Sequence, residues 1–235
     1  MKKNFTIELV RDFWDGVADI YDETNEKIGS AHQQRFIESF KYLQIKPNQK
    51  ILNIWSRTGK AIPFFRQCND IDLYNLEVSP LIMAKAQKKF PGERFQLTDL
   101  KKTNFANDFF DNILSLETLE HAPEPTEFLK ELYRVLKPGG QLILSLPPKT
   151  AEIPLIIYEL FFKNHGEGPH NFLSSKKVKK MLRAVGFELI CHKGTLLCPV
   201  GPIWVQKCGE KIINYLQKTP IREFGIRQFY VCKKP

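Results

Sequence analysis

Phe110 to Pro148 reads FDNILSLETLEHAPEPTEFLKELYRVLKPGGQLILSLPP, and three periodicities follow one another within it. Asn112 to Leu116 is a short apolar run of strand length. From Thr126 to Leu136 the apolar residues Phe128, Leu129, Leu132, Val135 and Leu136 recur at helical spacing, and Gln141 to Leu146 is apolar again. Between helix and second strand stand Lys137, Pro138, Gly139 and Gly140: a cation suited to a helix C-terminus, then residues that favour a turn. Strand, helix and strand in this order predict a parallel pair joined by a crossover.

The alternation continues in both directions. Upstream, Val10 to Tyr21 and His32 to Leu43 are expected to be two cap helices, and Pro47 with Asn48 marks the start of the core. Strands are predicted near Ile51 to Ile54, Asp72 to Leu76 and Arg94 to Leu97. Helices are predicted at Ala61 to Cys68 and Pro80 to Phe90, the latter with Ser79 as N-cap before a first-position proline. Downstream follow a helix at Ser174 to Val185 stopped by Gly186, a strand near Glu188 to His192, a helix near Gln206 to Gln217 and a strand near Gln228 to Cys232. Such alternation implies an α/β fold with a mostly parallel sheet and helices on both faces, without internal repeats. Read as one domain, 1–46 is an N-terminal cap, 47–148 a cofactor-binding half, and 149–235 an insert plus the C-terminal half of the sheet.

ILNIWSRTG, from Ile51 to Gly59, has the shape of a nucleotide-binding strand and turn, in which backbone and helix amides approach a ligand closely. Together with the Phe110–Pro148 stretch it resembles class I S-adenosylmethionine-dependent methyltransferases, in the subgroup that includes the ubiquinone and menaquinone methyltransferases. The resemblance extends more loosely from about Val10 to Phe187. It implies a Rossmann-like sheet of seven strands with the last antiparallel, and a helical insert after the fifth strand. At its most diagnostic point the chain departs from the pattern: Asn53 takes the acidic place, Trp55 and Arg57 take two glycine places, and only Gly59 survives.

The resemblance assigns cofactor roles at strand ends, where open α/β sheets bind ligands. Glu77 would accept the ribose hydroxyls, Asp99 in QLTDL the adenine amino group with Leu100 packing nearby, and Leu116 and Glu117 would line the methionine part. Asn53 keeps an amide but loses the charge that would complement an ammonium. Side chains at Trp55 and Arg57 would fill the methionine pocket, divert the loop, or point to solvent or the cap. Arg57 could instead recognise a carboxylate bidentately. Two acids at the two expected strand ends favour a site over isolated turn residues.

Methyl transfer to a reactive nucleophile depends mostly on alignment and exclusion of water, while a hydroxyl or carbon acid also needs a base. Histidine is the side chain suited to that role near neutral pH, and His165 and His170, in KNHGEGPHNF after the fifth strand, are the candidates, although loop histidines are commonly surface residues. His121 reads as structural, and His32 and His192 lie in no motif. The apolar segments Ala151–Lys163, which contains Tyr158, and Leu196–Val205 would serve core, dimer packing or a lid over a hydrophobic, lipid-like acceptor. Phe13, Trp14 and Tyr21, in a segment similar to one in related methyltransferases, could close the other side.

A chain of 235 residues buries a sizeable core without disulfides. Cys68, Cys191, Cys198, Cys208 and Cys232 are odd in number and lack CxxC spacing, so they read as reduced thiols of a cytoplasmic protein. Neither a membrane-spanning run nor a signal peptide is visible, and no metal is expected. The net charge of +9 favours anionic partners, including an acidic membrane surface at which the protein would be peripheral. Lys176, Lys177, Lys179, Lys180 and Arg183 fit a solvated helix face, and no dedicated nucleic-acid motif is present. The expected activity is methyl transfer from S-adenosylmethionine, giving S-adenosylhomocysteine, to a small, hydrophobic or lipid-like acceptor, with a homodimer open. The competing reading is a noncatalytic binding or scaffold protein that lost or altered its cofactor loop through Trp55 and Arg57. An NAD-dependent oxidoreductase is disfavoured, since the glycine spacing fails for that family too.

Overall fold

The computed structural model describes residues 5–26, 29–152, 166, 168–198 and 202–235, with nothing to be said of the side chains at 30 and 31. Its centre is a seven-stranded sheet: β1 (Lys50–Ile54), β2 (Asp72–Glu77), β3 (Arg94–Leu97), β4 (Phe110–Leu116), β5 (Leu136–Leu146), β6 (Glu188–Thr195) and β7 (Arg227–Lys233). The order is β3-β2-β1-β4-β5-β7-β6. β1 to β5 run parallel, and β7 lies antiparallel between β5 and β6. This is the mostly parallel Rossmann-like architecture expected, with the last strand reversed.

Period-two alternation sends successive strand residues to opposite faces. Leu52, Ile54, Ile113, Leu142 and Leu144 enter a core with α1 (Ile7–Gly16), α5 (Pro80–Lys89), α6 (Pro125–Val135) and α7 (Ser175–Val185). Ile51, Leu114, Ile143 and Phe229 enter the opposite core with α3 (Gly29–Phe40) and α4 (Ile62–Phe65). α2 (Tyr21–Glu26) links the two cap helices, and α8 (Ile203–Tyr215) precedes β7. Ser79 accepts a hydrogen bond from the Ile82 amide at 3.0 Å, the N-cap expected for α5. Gly186 ends α7 at φ 113°, a conformation that favours glycine.

Three elements differ from the sequence expectation. The first cap helix stops at Gly16 and restarts at Tyr21, with Val17 donating to Phe13 and Ala18 to Asp15 in a turn between. The helix expected over Ala61–Cys68 shrinks to Ile62–Phe65, continued by turn-type hydrogen bonds to Cys68. Lys137–Gly140 does not separate helix from strand but belongs to β5, as an irregularity between the pairs Phe110–Leu136 and Asn112–Gln141. Lys137 there reaches Asp111 at 2.7 Å, so its charge is neutralised across the strands rather than at the helix end.

Candidate functional site

The turn after β1 keeps the backbone of a glycine loop although the glycines are gone. Trp55 (φ 58°), Arg57 (φ 52°) and Gly59 (φ 81°) all lie in the left-handed region. Holding an L-residue there costs about 1–2 kcal/mol, so the surrounding packing must impose the path. At Gly59 an added Cβ would come within 2.8 Å of the Phe90 ring, which restricts that position to glycine. The two large side chains of the loop turn inward rather than to solvent: Trp55 is 3 % and Arg57 8 % exposed.

The Arg57 guanidinium lies between two indoles. Its central carbon is 3.7 Å from the Trp14 ring centroid and 3.8 Å from that of Trp55. Trp14 comes from α1 and also packs edge-on against Tyr21 and His121. Cation–π contacts offset part of the desolvation cost of this cation. Burial still pulls the Arg57 pKa below its usual value, opposed by Tyr21 and Glu77.

Glu77 ends β2 and is fully buried. One carboxylate oxygen accepts from the Arg57 amide at 2.6 Å; the other accepts from the Val78 and Ser79 amides at 2.8 and 3.2 Å. Burial raises its pKa, against the opposing pull of Arg57 and those amides. Thus the acid assigned to a ribose is engaged by the chain's own backbone. Asp99 follows β3, accepting from the Lys101 and Lys102 amides, and Leu100 beside it is buried at φ 59°. Asn53 is buried and donates its amide to Asn75 at 2.9 Å, a neighbour in β2.

Glu117, after β4 at φ 54°, is clasped by two buried arginines that the sequence reading did not single out. Arg35 of α3 donates to one carboxylate oxygen, and Arg227, the first residue of β7, to the other at 2.6 Å. Arg227 also reaches Gln34 at 3.3 Å. Although burial alone would raise it, the Glu117 pKa is held well below the usual carboxylate range by Arg227 and Arg35. Leu116 is buried at the end of β4.

His121 is a second residue whose position only the structure reveals. It is buried between Trp14, Trp55 and His170, with ring centroids at 5.7, 4.9 and 6.2 Å. Burial, with Arg57 adding, lowers its pKa to about 3, so it is neutral near neutrality. A neutral Nδ1–H donates to the Pro169 carbonyl at 2.9 Å. His170 likewise faces the Gly168 carbonyl through Nδ1 at 2.7 Å. Phe13 packs where a Cβ on Gly168 would stand, 2.5 Å from its ring. His165 and Tyr158 lie outside the described residues.

The cleft leaves little room. A cavity of about 20 Å³ remains between Tyr21, Arg35, Trp55, Arg57 and Lys60, enough for roughly one water-sized group. As the side chains stand, Trp14, Trp55 and Arg57 crowd the turn after β1, to which the resemblance assigns the methionine end of an S-adenosyl ligand, and Glu77 is engaged by backbone amides. A larger groove of about 790 Å³ opens further along the edge, between Phe5–Glu8, Asp99–Lys101, Ala122–Glu127 and α7. Among the described residues there is no cluster of metal ligands, and no helix is long and apolar enough to cross a membrane.

Comparisons with known proteins agree with the fold. Residues 54–144 match the family described as Methyltransferase domain. Phosphoethanolamine N-methyltransferase 3 of Arabidopsis thaliana is 25 % identical over 150 residues, covering 62 % of this chain and 30 % of that protein. A ubiquinone biosynthesis O-methyltransferase of Dinoroseobacter shibae is 28 % identical over 117 residues, 47 % of each chain. The chain thus spans less than half the length of these relatives. A methyltransferase of Haloferax volcanii, solved in complex with the Trm112 methyltransferase activator, superposes with TM-score 0.73 at 17 % identity, covering 94 % of this chain and 97 % of the other. The chain carries the class I S-adenosylmethionine-dependent methyltransferase fold, and its residues 54–144 are similar to a methyltransferase domain.

Proposed function

We propose that this protein is an S-adenosylmethionine-dependent methyltransferase acting on a small, hydrophobic or lipid-like acceptor. The observation that carries this reading is the row of strand-end residues, Glu77, Asp99 with Leu100, and Leu116 with Glu117, on a sheet of the methyltransferase order. The methyltransferase domain match over the same strands supports it. The 790 Å³ groove bordered by Asp99 and Leu100, with Phe5, Ile7, Leu173 and Met181 on its walls, offers volume for an acceptor of that class. His170 is the candidate base through its Nε2, since Nδ1 is committed to Gly168. A cytoplasmic protein with a peripheral contact to an anionic membrane suits the charge of +9 and the exposed Ile203 and Trp204.

One observation favours a second reading: the Arg57 guanidinium lies close over both the Trp14 and the Trp55 ring and crowds the turn to which the resemblance assigns the amino-acid part of the cofactor. On that reading the fold is a noncatalytic binding protein. Calorimetric titration with S-adenosylmethionine and S-adenosylhomocysteine separates the two. Micromolar binding, roughly −8 kcal/mol, is expected for the enzyme; absence of binding to both ligands would replace it by the second reading.

A further inference from the structure

α8 (Ile203–Tyr215) is attached to the rest of the protein by one narrow face. Gly209 and Ile213 are buried, and a Cβ added at Gly209 would stand 3.0 Å from Cys198, so the helix is seated closely. Glu210 beside them accepts from the Leu196 amide, just past β6. At helical spacing, Trp204, Cys208, Ile212 and Tyr215 follow one another along the outward side. Trp204 is 72 % and Tyr215 88 % exposed, and Phe224, on the short 3-10 helix Pro220–Phe224 that packs beside α8, is 63 % exposed. Single exposed apolar side chains need no explanation, but a continuous row of large ones marks a contact surface.

The charge around this row has one sign. Lys207 and Lys211 lie one turn apart beside it, both exposed, and exposed Lys218 follows the end of the helix. Residues 202–225 hold two acids, and both are engaged by the protein: Glu210 by the Leu196 amide, Glu223 by the Ser175 hydroxyl and Arg222. The other basic helix, α7, differs in kind, because its apolar residues Val178 and Leu182 are buried and its exposed lysines border no apolar row.

We propose that α8 is the membrane-docking surface of this protein, lying in the plane of an anionic bilayer interface with Trp204, Ile212 and Tyr215 inserted and Lys207, Lys211 and Lys218 on lipid phosphates. Indole and phenol rings are favoured at that depth, and a helix with an apolar row beside lysines binds in this orientation. Lysine stems can lie along the apolar row while their heads reach the phosphates. A second copy of the chain suits the patch less well, since a two-fold contact sets the same lysine-bearing surface against itself. The inference rests on the peripheral membrane contact proposed above and assigns it to one helix; it does not depend on methyl transfer.

The test is co-sedimentation of the full chain with vesicles of phosphatidylcholine, alone or mixed with phosphatidylglycerol, combined with tryptophan fluorescence. Of the three tryptophans Trp14 and Trp55 are buried, so a change in emission on binding reports on Trp204. The mixed vesicles are expected to sediment the chain and shift its emission to shorter wavelength, and the neutral ones to do neither. Lys207→Glu/Lys211→Glu should weaken binding by about 25-fold or more, at roughly fivefold per lysine, and Trp204→Ser/Tyr215→Ser should lose it. All four side chains are exposed, so Tm should stay near that of the wild type. Lys176→Glu/Lys180→Glu on α7 changes the net charge equally and should weaken binding less. Equal weakening by the two charge-reversed variants, or sedimentation with unchanged emission, overturns the assignment to α8 and leaves the peripheral contact standing. Failure of the wild type to sediment removes both, while calorimetry with S-adenosylmethionine decides the activity independently. A dimer in solution that Trp204→Ser dissociates would give the row to a second copy and overturn the proposal.

Discussion

Two of the depressions at the carboxyl ends of the strands are built on opposite principles. The cleft over β1, β2 and β4 is closed to about 20 Å³ by Trp14, Trp55 and Arg57 above a floor of engaged carboxylates. The groove beyond β3 and β4 stays open at about 790 Å³, rimmed by exposed charges such as Lys101 and Glu124, 3.6 Å apart. In the closed cleft each charge needs a dedicated partner, because water no longer solvates it. Rim charges need none. Changes in the cleft should therefore couple to both folding and ligand affinity, whereas changes in the groove should alter ligand contacts alone.

The sharpest way to break this contrast is Glu117→Ala. It leaves Arg35 and Arg227 buried without their shared carboxylate, and loss of one partner from a buried pair costs about 3–5 kcal/mol; urea denaturation should show that loss. A change below about 1 kcal/mol would mean that the cleft is as solvated as the groove. Trp55→Gly comes next. Removing a buried tryptophan costs about 3–5 kcal/mol, offset by relief of the left-handed strain of about 1–2 kcal/mol. The same variant is expected to tighten S-adenosylhomocysteine binding by making room, and calorimetry showing equal or weaker affinity would remove Trp55 as the obstruction.

Glu77→Ala sharpens the comparison differently. It orphans the Arg57, Val78 and Ser79 amides, so it should destabilise by at least about 1–3 kcal/mol as well as weaken S-adenosylmethionine binding. Unchanged affinity in a folded variant would count against a cofactor role.

The cleft should also respond to acid, and the sign follows from its groups. Glu117 has a lowered folded pKa, so its contribution is complete above the ordinary 4.5 and is lost as pH falls below it. His121 is lowered from 6.5 to about 3, so the unfolded chain takes up a proton first and stability falls as pH drops through 6.5 toward 3. Stability measured against pH should decline in two overlapping steps, and His121→Phe should reduce the upper one, to which His32 and His192, also lowered by burial, contribute with the same sign. The smallest effect belongs to the groove: Lys101→Ala should change stability by less than about 1 kcal/mol, since its pair with Glu124 is exposed.

Much of the scaffold was legible because it is written in local periods. The apolar spacing of Phe128, Leu129, Leu132 and Val135 marks one helix face, and those four residues enter the core. The α5 N-cap at Ser79 and the α7 stop at Gly186 are likewise local chemistry. Lys137–Gly140 misled because a turn composition was absorbed as an irregularity of β5, where pairing with β4 satisfied the backbone. The candidate site was half legible. Asn53, Trp55, Arg57, Glu77, Asp99 and Glu117 could be named from strand ends, but the direction of a left-handed residue's side chain depends on what surrounds it.

Arg35, Arg227 and His121 gave no comparable signal. Arg35 meets Glu117 from 82 positions away and Arg227 from 110. His121 becomes a buried neutral donor only when Trp14, Trp55 and the Pro169 carbonyl close around it. The sequence by itself determined the succession of strands and helices and the sheet faces they bury, because those depend on spacing along the chain. Tertiary structure alone decided that Arg57 folds between two indoles, that one glutamate serves two arginines, and that the cleft is closed, because desolvation and charge pairing act on groups that only packing brings together.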